Sequence, residues 1–176
     1  DQKYAMVASP CIDGRFLTSS TSEIVNSGNQ KNIPYMMGST SHDIVPPFVF
    51  SMAKDWCKTQ AYQDKQDSYC WFFDRNLPGD DNGAWHSSDL WYWFGTLKNC
   101  WRPFTEHDEM LSDKMTDYLC NFSKNGNPNG ESLIEWLPTN ENQDNVLCWG
   151  ENEIRMDCVD MEYLHEIMRT NVAVGE

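Results

Sequence analysis

The side chains that can move protons or act on a carbonyl are few in this chain, so each is weighed by its neighbours. There are four histidines, and two sit in charged helical surroundings. His107 lies in Glu106-His107-Asp108-Glu109 and His165 beside Glu162 and Glu166, where a solvated surface role is expected. A metal pair on a helix wants ligands at i and i+4, and Pro103 and Leu111 flank His107 at that spacing. His86 follows an acidic, glycine-containing turn and has aromatic residues on both sides, which can pin an imidazole in the single orientation a general base needs. His42-Asp43 follows a short apolar run. A carboxylate just beyond a strand's carboxyl end stands where α/β crevices form. On residue type alone, His86 is equally a packed loop histidine and Asp43 a turn former. Together, an acid on one loop and a histidine on a later one suit a proton relay. The acid orients the imidazole and stabilises the imidazolium, and the imidazole takes and returns the proton of a nucleophile.

The elements that position these residues follow from periodicity and punctuation. Ile33–Gly38 is a short apolar run bounded by Pro and Gly, as for a buried strand. The loop Ser39–Pro47 carries Asp43 and closes at Pro46-Pro47. From Phe48 to Tyr62, the positions Val49, Met52, Ala53, Trp56 and Cys57 give an amphipathic helix. Tyr69–Phe73 reads as a central strand, and the acidic turn Leu77–Gly83 leads to His86. Thr105 with Asp108 opens a helix by a capping box, and Gly126 with Pro128 closes it. Val146–Trp149 is a last strand, and Tyr163–Arg169 a terminal helix. Ahead of these, residues 1–32 are turn-rich around Ser9-Pro10, Asp13-Gly14 and Ser27-Gly28, with a short helix at Glu23–Val25. Alternating strands and helices indicate an α/β layer architecture.

Composition narrows the partners. Among 176 residues, 27 Asp and Glu face 13 Lys and Arg, a formal charge of −14, which repels nucleic acid and anionic membrane surfaces. With 8 Trp, 8 Phe and 7 Tyr the chain is built to fold rather than to stay disordered. Seven cysteines without any Cys-x-x-Cys read as mostly reduced, buried thiols, and point to the cytoplasm. No apolar run approaches the roughly 18–20 residues of a spanning helix. The sequon Asn121-Phe122-Ser123 falls within a helical stretch and reads as coincidence. No ligand constellation supports a metal-dependent hydrolase, and no cofactor is expected.

Gly83-Ala84-Trp85-His86-Ser87-Ser88-Asp89, continuing to Phe94-Gly95, resembles the histidine segment of type-B carboxylesterases, the family that includes the cholinesterases. The likeness continues on both sides, in the family's order. Ser9-Pro10-Cys11-Ile12-Asp13-Gly14-Arg15-Phe16-Leu17 is similar to its Pro-x-x-Asp-Gly-x-Phe-Leu stretch. Ile33-Pro34-Tyr35-Met36-Met37-Gly38 is similar to the strand leading to its triad acid. Asn121–Gly130 followed by Trp136 is similar to its Asn-Phe-x-x-x-Gly-x-Pro-Asn element.

The resemblance implies the C-terminal part of an α/β-hydrolase fold, a few central strands flanked by helices, with an abbreviated cap. It parses residues 1–47 as the acid-loop region, 48–66 as a short cap helix, 67–104 as the strand and catalytic-histidine loop, and 105–176 as C-terminal helices and last strand. It implies a serine carboxylesterase acting through an acyl-enzyme, with His86 as acid–base and Asp43 where the family has Glu. Asp89 is similar to the family's second carboxylate after the histidine and reads as support for the site. Neither Gly-x-Ser-x-Gly nor an oxyanion-hole His-Gly-Gly occurs in these 176 residues. The chain, beginning at Asp1, is therefore expected to be a piece of a longer polypeptide and inert alone. Its expected partners are a small ester substrate, the missing N-terminal part, and further copies joined through an exposed sheet edge. The competing expectation is a non-catalytic binding or assembly module using the aromatic cluster Trp85, Trp91, Tyr92, Trp93 and Trp101.

Overall fold

The computed structural model describes residues 10–173, so Ser9 of the first motif lies outside the described residues. The chain divides into two compact units, Asp1–Asn32 and Ile33–Glu176. In the first, Asp13 Oδ1 accepts the N–H groups of Arg15, Phe16 and Leu17 at 2.9, 2.8 and 3.1 Å. These bonds hold its carboxyl below the ordinary carboxylate range. Helix α1 (Thr21–Asn26) starts with a Ser20/Glu23 capping box.

The second unit is a four-stranded sheet in the order β1-β2-β3-β4, from β1 (Tyr35–Thr40), β2 (Ser68–Phe73), β3 (Val146–Trp149) and β4 (Ile154–Asp157). The first three strands run parallel, and β4 returns antiparallel to β3. Between β1 and β2 lies α2 (Pro46–Tyr62). Between β2 and β3 come α3 (Leu90–Trp93) and α4 (Glu106–Asn125), and α5 (Met161–Ala173) follows β4.

The period of two along the strands sorts side chains into two cores. Tyr69 and Phe73 of β2 join Leu147 and Trp149 of β3 on one face, against Tyr92 and Trp93 of α3 and Leu111, Met115 and Tyr118 of α4. Cys70 and Phe72, with Val146 and Cys148, face the other way, against Phe50, Ala53 and Cys57 of α2 and Leu164 and Ile167 of α5. Helices thus cover both faces of the sheet, as parallel strands require. Trp136 and Trp149 are fully buried and meet edge-on at 6.2 Å. Truncating either to Ala would cost roughly 3–5 kcal/mol.

Local signals explain most element ends. Thr105 N–H and Oγ1 donate to Asp108 Oδ2 at 2.8 and 2.7 Å and open α4. Gly126 closes it in the left-handed region, at φ 70°. The Pro46-Pro47 pair, expected to end a loop, instead forms the first turn of α2, where proline gives up no helical hydrogen bond. The first strand runs Tyr35–Thr40 rather than Ile33–Gly38. On α4, Asn121 Nδ2 donates to Pro128 O at 3.3 Å, so the sequon's amide is committed to the turn after the helix. The cysteines correct the reading of mostly buried thiols: all seven are free, with Cys57, Cys70 and Cys148 buried but Cys11, Cys120 and Cys158 exposed. Among the described residues no helix is long and apolar enough to cross a membrane.

Candidate active site

Asp43 and His86 sit on the loops that follow β1 and β2, two adjacent parallel strands, at their carboxyl ends. The strands end in register at Thr40 and Phe73. Past that point β1's line continues: Ser41 N–H donates to Phe73 O at 2.9 Å, and His42 N–H to Ala84 O at 2.9 Å. His42 thereby forms a parallel bridge with Trp85. The chain loops out over residues 74–83 and returns through Gly83 at φ 66°, where a Cβ would run into the His42 ring. Only glycine fits that return. The two loops are stitched together one residue away from each of Asp43 and His86.

The result is a hydrogen bond of 2.7 Å between His86 Nδ1 and Asp43 Oδ1. A carboxylate only accepts, so Nδ1 carries the proton, and in the neutral imidazole Nε2 holds the lone pair. Asp43 Oδ1 also accepts Ile44 N–H at 2.7 Å, which fixes the carboxylate's plane. Burial is split across the pair: the Asp43 side chain is 8% exposed and that of His86 59%. A buried acid thus holds an imidazole whose far edge faces outward. Ser87, next in the chain, sits at φ 70°, the left-handed region that non-glycine residues enter at a cost.

Asp89, three residues past the histidine, is buried. Burial pushes its carboxyl above the usual range; the Trp93 indole, donating to it, pulls back, while like charge on Asp43 raises it further and His86 lowers it. The aromatic neighbours are largely core, with Tyr92 and Trp93 buried and Trp85 and Trp91 half-buried. Trp101 is exposed.

The remaining histidines do other things. His42 Nδ1 lies 2.9 Å from Ser41 Oγ, and burial lowers the ring's pKa against the opposing pull of Asp74. His107 and His165 were expected on the surface and are both half-buried. His165 Nδ1 donates to Met161 O at 2.7 Å, one turn back on its own helix. A cleft of about 430 Å3 is lined by His42, Asp74, Asn76, Gly83, Glu151 and Tyr163, among others, and neither His86 nor Asp43 lines it. Among the described residues no group of three or more His, Cys, Asp and Glu is placed to hold a metal ion.

Sequence reasoning missed the supports of the histidine loop. Arg75 Nε and Nη2 donate to the Asp108 carboxylate at 2.9 and 3.3 Å, and Tyr92 OH donates to it at 2.7 Å. Arg75 also pairs with Glu151. Arg102 reaches back to Pro78 and Asp80. These contacts span 16 to 76 residues, so no local spacing signals them.

Comparison with known proteins agrees with this layout. In solved structures, the juvenile hormone esterase of Manduca sexta aligns over 92% of this chain and 45% of its own, at 14% identity and a TM-score of 0.69. A PNB esterase aligns over 90% and 43%, at 16% identity and a TM-score of 0.66. At that identity the likeness is one of fold: an α/β hydrolase. Among characterised proteins, human cocaine esterase is 61% identical over 33 residues, 19% of this chain and 6% of that protein. Mouse pyrethroid hydrolase Ces2a is 40% identical over 52 residues, 29% and 9% respectively. The chain thus matches only a small part of these relatives' length. The sequence profile of the carboxylesterase family matches residues 56–163, well over half of the 176 residues and including His86 and its supports. By that match, the chain belongs to the carboxylesterase family.

Proposed function

We propose that this chain supplies the acid and the acid–base histidine of a serine carboxylesterase, the nucleophile and oxyanion hole coming from a segment outside these 176 residues. The observation that carries the proposal is the 2.7 Å bond from His86 Nδ1 to a buried Asp43 on the neighbouring post-strand loop. With Nδ1–H engaged, Nε2 is the base. It takes the proton of a serine hydroxyl as Oγ attacks an ester carbonyl, and the carboxylate of Asp43 stabilises the imidazolium that forms. Nε2–H then protonates the departing alcohol oxygen as the tetrahedral species collapses to an acyl-enzyme. A water enters, Nε2 takes its proton as the water oxygen attacks the acyl carbonyl, and Nε2–H returns the proton to serine Oγ as the acyl–Oγ bond breaks and the acid leaves.

Without a nucleophile or oxyanion donors, the largest contributions to acyl transfer are missing, so the isolated chain is inert. Among the described residues, strand β1 lies at one edge of the sheet. Ile44, Phe48 and Met52, spaced by four along the acid loop and α2, are all exposed. An open edge beside an apolar stripe favours docking of a further segment of the enzyme, or of a second copy. The reading as an aromatic binding module has less support, because Tyr92 and Trp93 are core.

The test compares p-nitrophenyl acetate turnover by this chain with that of a longer polypeptide carrying a Gly-x-Ser-x-Gly segment ahead of Asp1. Turnover by the longer form alone is expected. Equal turnover by the isolated chain would overturn the proposed division of labour.

A further inference from the structure

An imidazole that is 59% exposed and anchored through Nδ1 owes the rest of its orientation to its own backbone. The ring of the preceding residue, Trp85, and the turn before it are both held by a cation. Arg102, in the bend before α4, has a side chain only 6% exposed. Its Nη1 donates to Pro78 O at 2.9 Å and its Nη2 to Asp80 Oδ2 at 2.6 Å, which ties down the turn leading to the histidine. Its guanidinium carbon stands 4.5 Å from the centroid of the Trp85 ring and 4.9 Å from that of Trp101. Trp85 immediately precedes His86, and Trp91 meets its ring edge-on at 6.0 Å. Trp101 in turn lies against Gly79, whose φ of 107° and missing Cβ let the turn pass beneath the ring.

We infer that Arg102 is a positioning residue for the reaction: by holding Trp85 against Trp91 and fixing the Pro78–Asp80 turn, it sets the place and plane of the His86 imidazole relative to Asp43. The inference rests on His86–Asp43 being the acid–base pair. A surface ion pair with Asp80 alone would contribute little and would leave the guanidinium in water. Arg102 is desolvated and stacked on two rings while its fork spans two acceptors. A planar guanidinium does all of this at once, and a lysine ammonium, a point charge, does not. The geometric demand is high, because a displacement of about 1 Å at a catalytic group costs up to 100-fold in rate.

The test uses the downfield proton resonance of Nδ1–H in the His86–Asp43 hydrogen bond, recorded on this chain and assigned by its loss in His86→Asn. Arg102→Lys and Arg102→Ala are expected to shift or broaden it while far-UV circular dichroism and cooperative melting persist. Asp80→Ala removes one arm of the clamp without emptying the stack, and is expected to move the resonance less in the same direction. It decides the question if Arg102→Ala does not fold. In the longer esterase polypeptide, Arg102→Lys is expected to lower kcat 10- to 100-fold with KM within about twofold. A folded Arg102→Lys that keeps both the resonance and full kcat overturns the inference, as does Asp80→Ala with no change if it alone folds. A longer polypeptide that folds and keeps full ester turnover as His86→Ala overturns the acid–base reading itself, and with it the role of Arg102.

Discussion

Arg75 and Asp108 meet inside the protein, with Nε 2.9 Å from Oδ1 and Nη2 3.3 Å from Oδ2. Arg75 follows β2 and leads into the histidine loop, while Asp108 is fully buried in the first turn of α4. Thr105 and Tyr92 also donate to this carboxylate, so one acid joins the end of a strand, a helix cap and α3. Asp108→Ala leaves a buried guanidinium short of its partner, and a loss of about 3–5 kcal/mol is expected. Urea unfolding at pH 7 measures it.

The same carboxylate sets an acid limit. Burial alone would raise its pKa, but Arg75, Thr105 and Tyr92 outweigh burial and hold it at about 2, against an ordinary 3.8. A folded-state pKa below the unfolded one contributes stability that is full above the unfolded value and lost as pH falls through the folded one. The contribution is about 2 kcal/mol and disappears between about pH 4 and pH 2. Thermal melts across that window are expected to fall more steeply for the unmodified chain than for Asp108→Asn.

Asp89 has the opposite sign. Its carboxyl is raised, first by burial, so the ionised form is disfavoured in the folded state and its contribution becomes destabilising as pH rises past the unfolded value. Asp89→Asn keeps an oxygen for the Trp93 indole and removes the charge. Its Tm is expected to exceed that of the unmodified chain at pH 7, with the gap closing below about pH 4. Calorimetry at the two pH values checks the sign.

Gly83 and Ser87 bracket the histidine segment in left-handed backbone, at φ 66° and 70°. Gly83→Ala drives a Cβ into the His42 ring and opens the His42–Trp85 bridge, so lost stability of this chain and weakened ester turnover of the longer polypeptide are both expected. Ser87→Gly relieves a conformation that costs a side-chain-bearing residue roughly 1–2 kcal/mol, less the entropy glycine brings. A small gain in Tm is expected there, and a loss with Ser87→Val.

Much of this was legible in the residues. The short aromatic run Tyr69-Cys70-Trp71-Phe72-Phe73 marked the central strand, and Thr105, Asp108 and Gly126 marked both ends of α4. His86 and Asp43 stood out by type, order and post-strand position, but their separation of 43 residues closed to 2.7 Å only through the register of β1 and β2. Strand β4 was missed because Ile154, Met156 and Asp157 are only half-buried and Arg155 is exposed, so no apolar pattern announces an edge strand. The single turn of α3 was hidden inside an aromatic run whose burial follows from tertiary packing. Asp89, read as support, and Arg102, unread, resemble surface charges in sequence, and only the fold buries them.

On the proposed function, His86 and Asp43 together move the proton in ester hydrolysis. This role is tested most directly by single-turnover hydrolysis of p-nitrophenyl acetate in the longer polypeptide, comparing His86→Ala and Asp43→Asn with the unmodified enzyme. A loss of roughly four orders of magnitude in each, with the fold intact, is the expected result. Full turnover in a folded His86→Ala enzyme would contradict it.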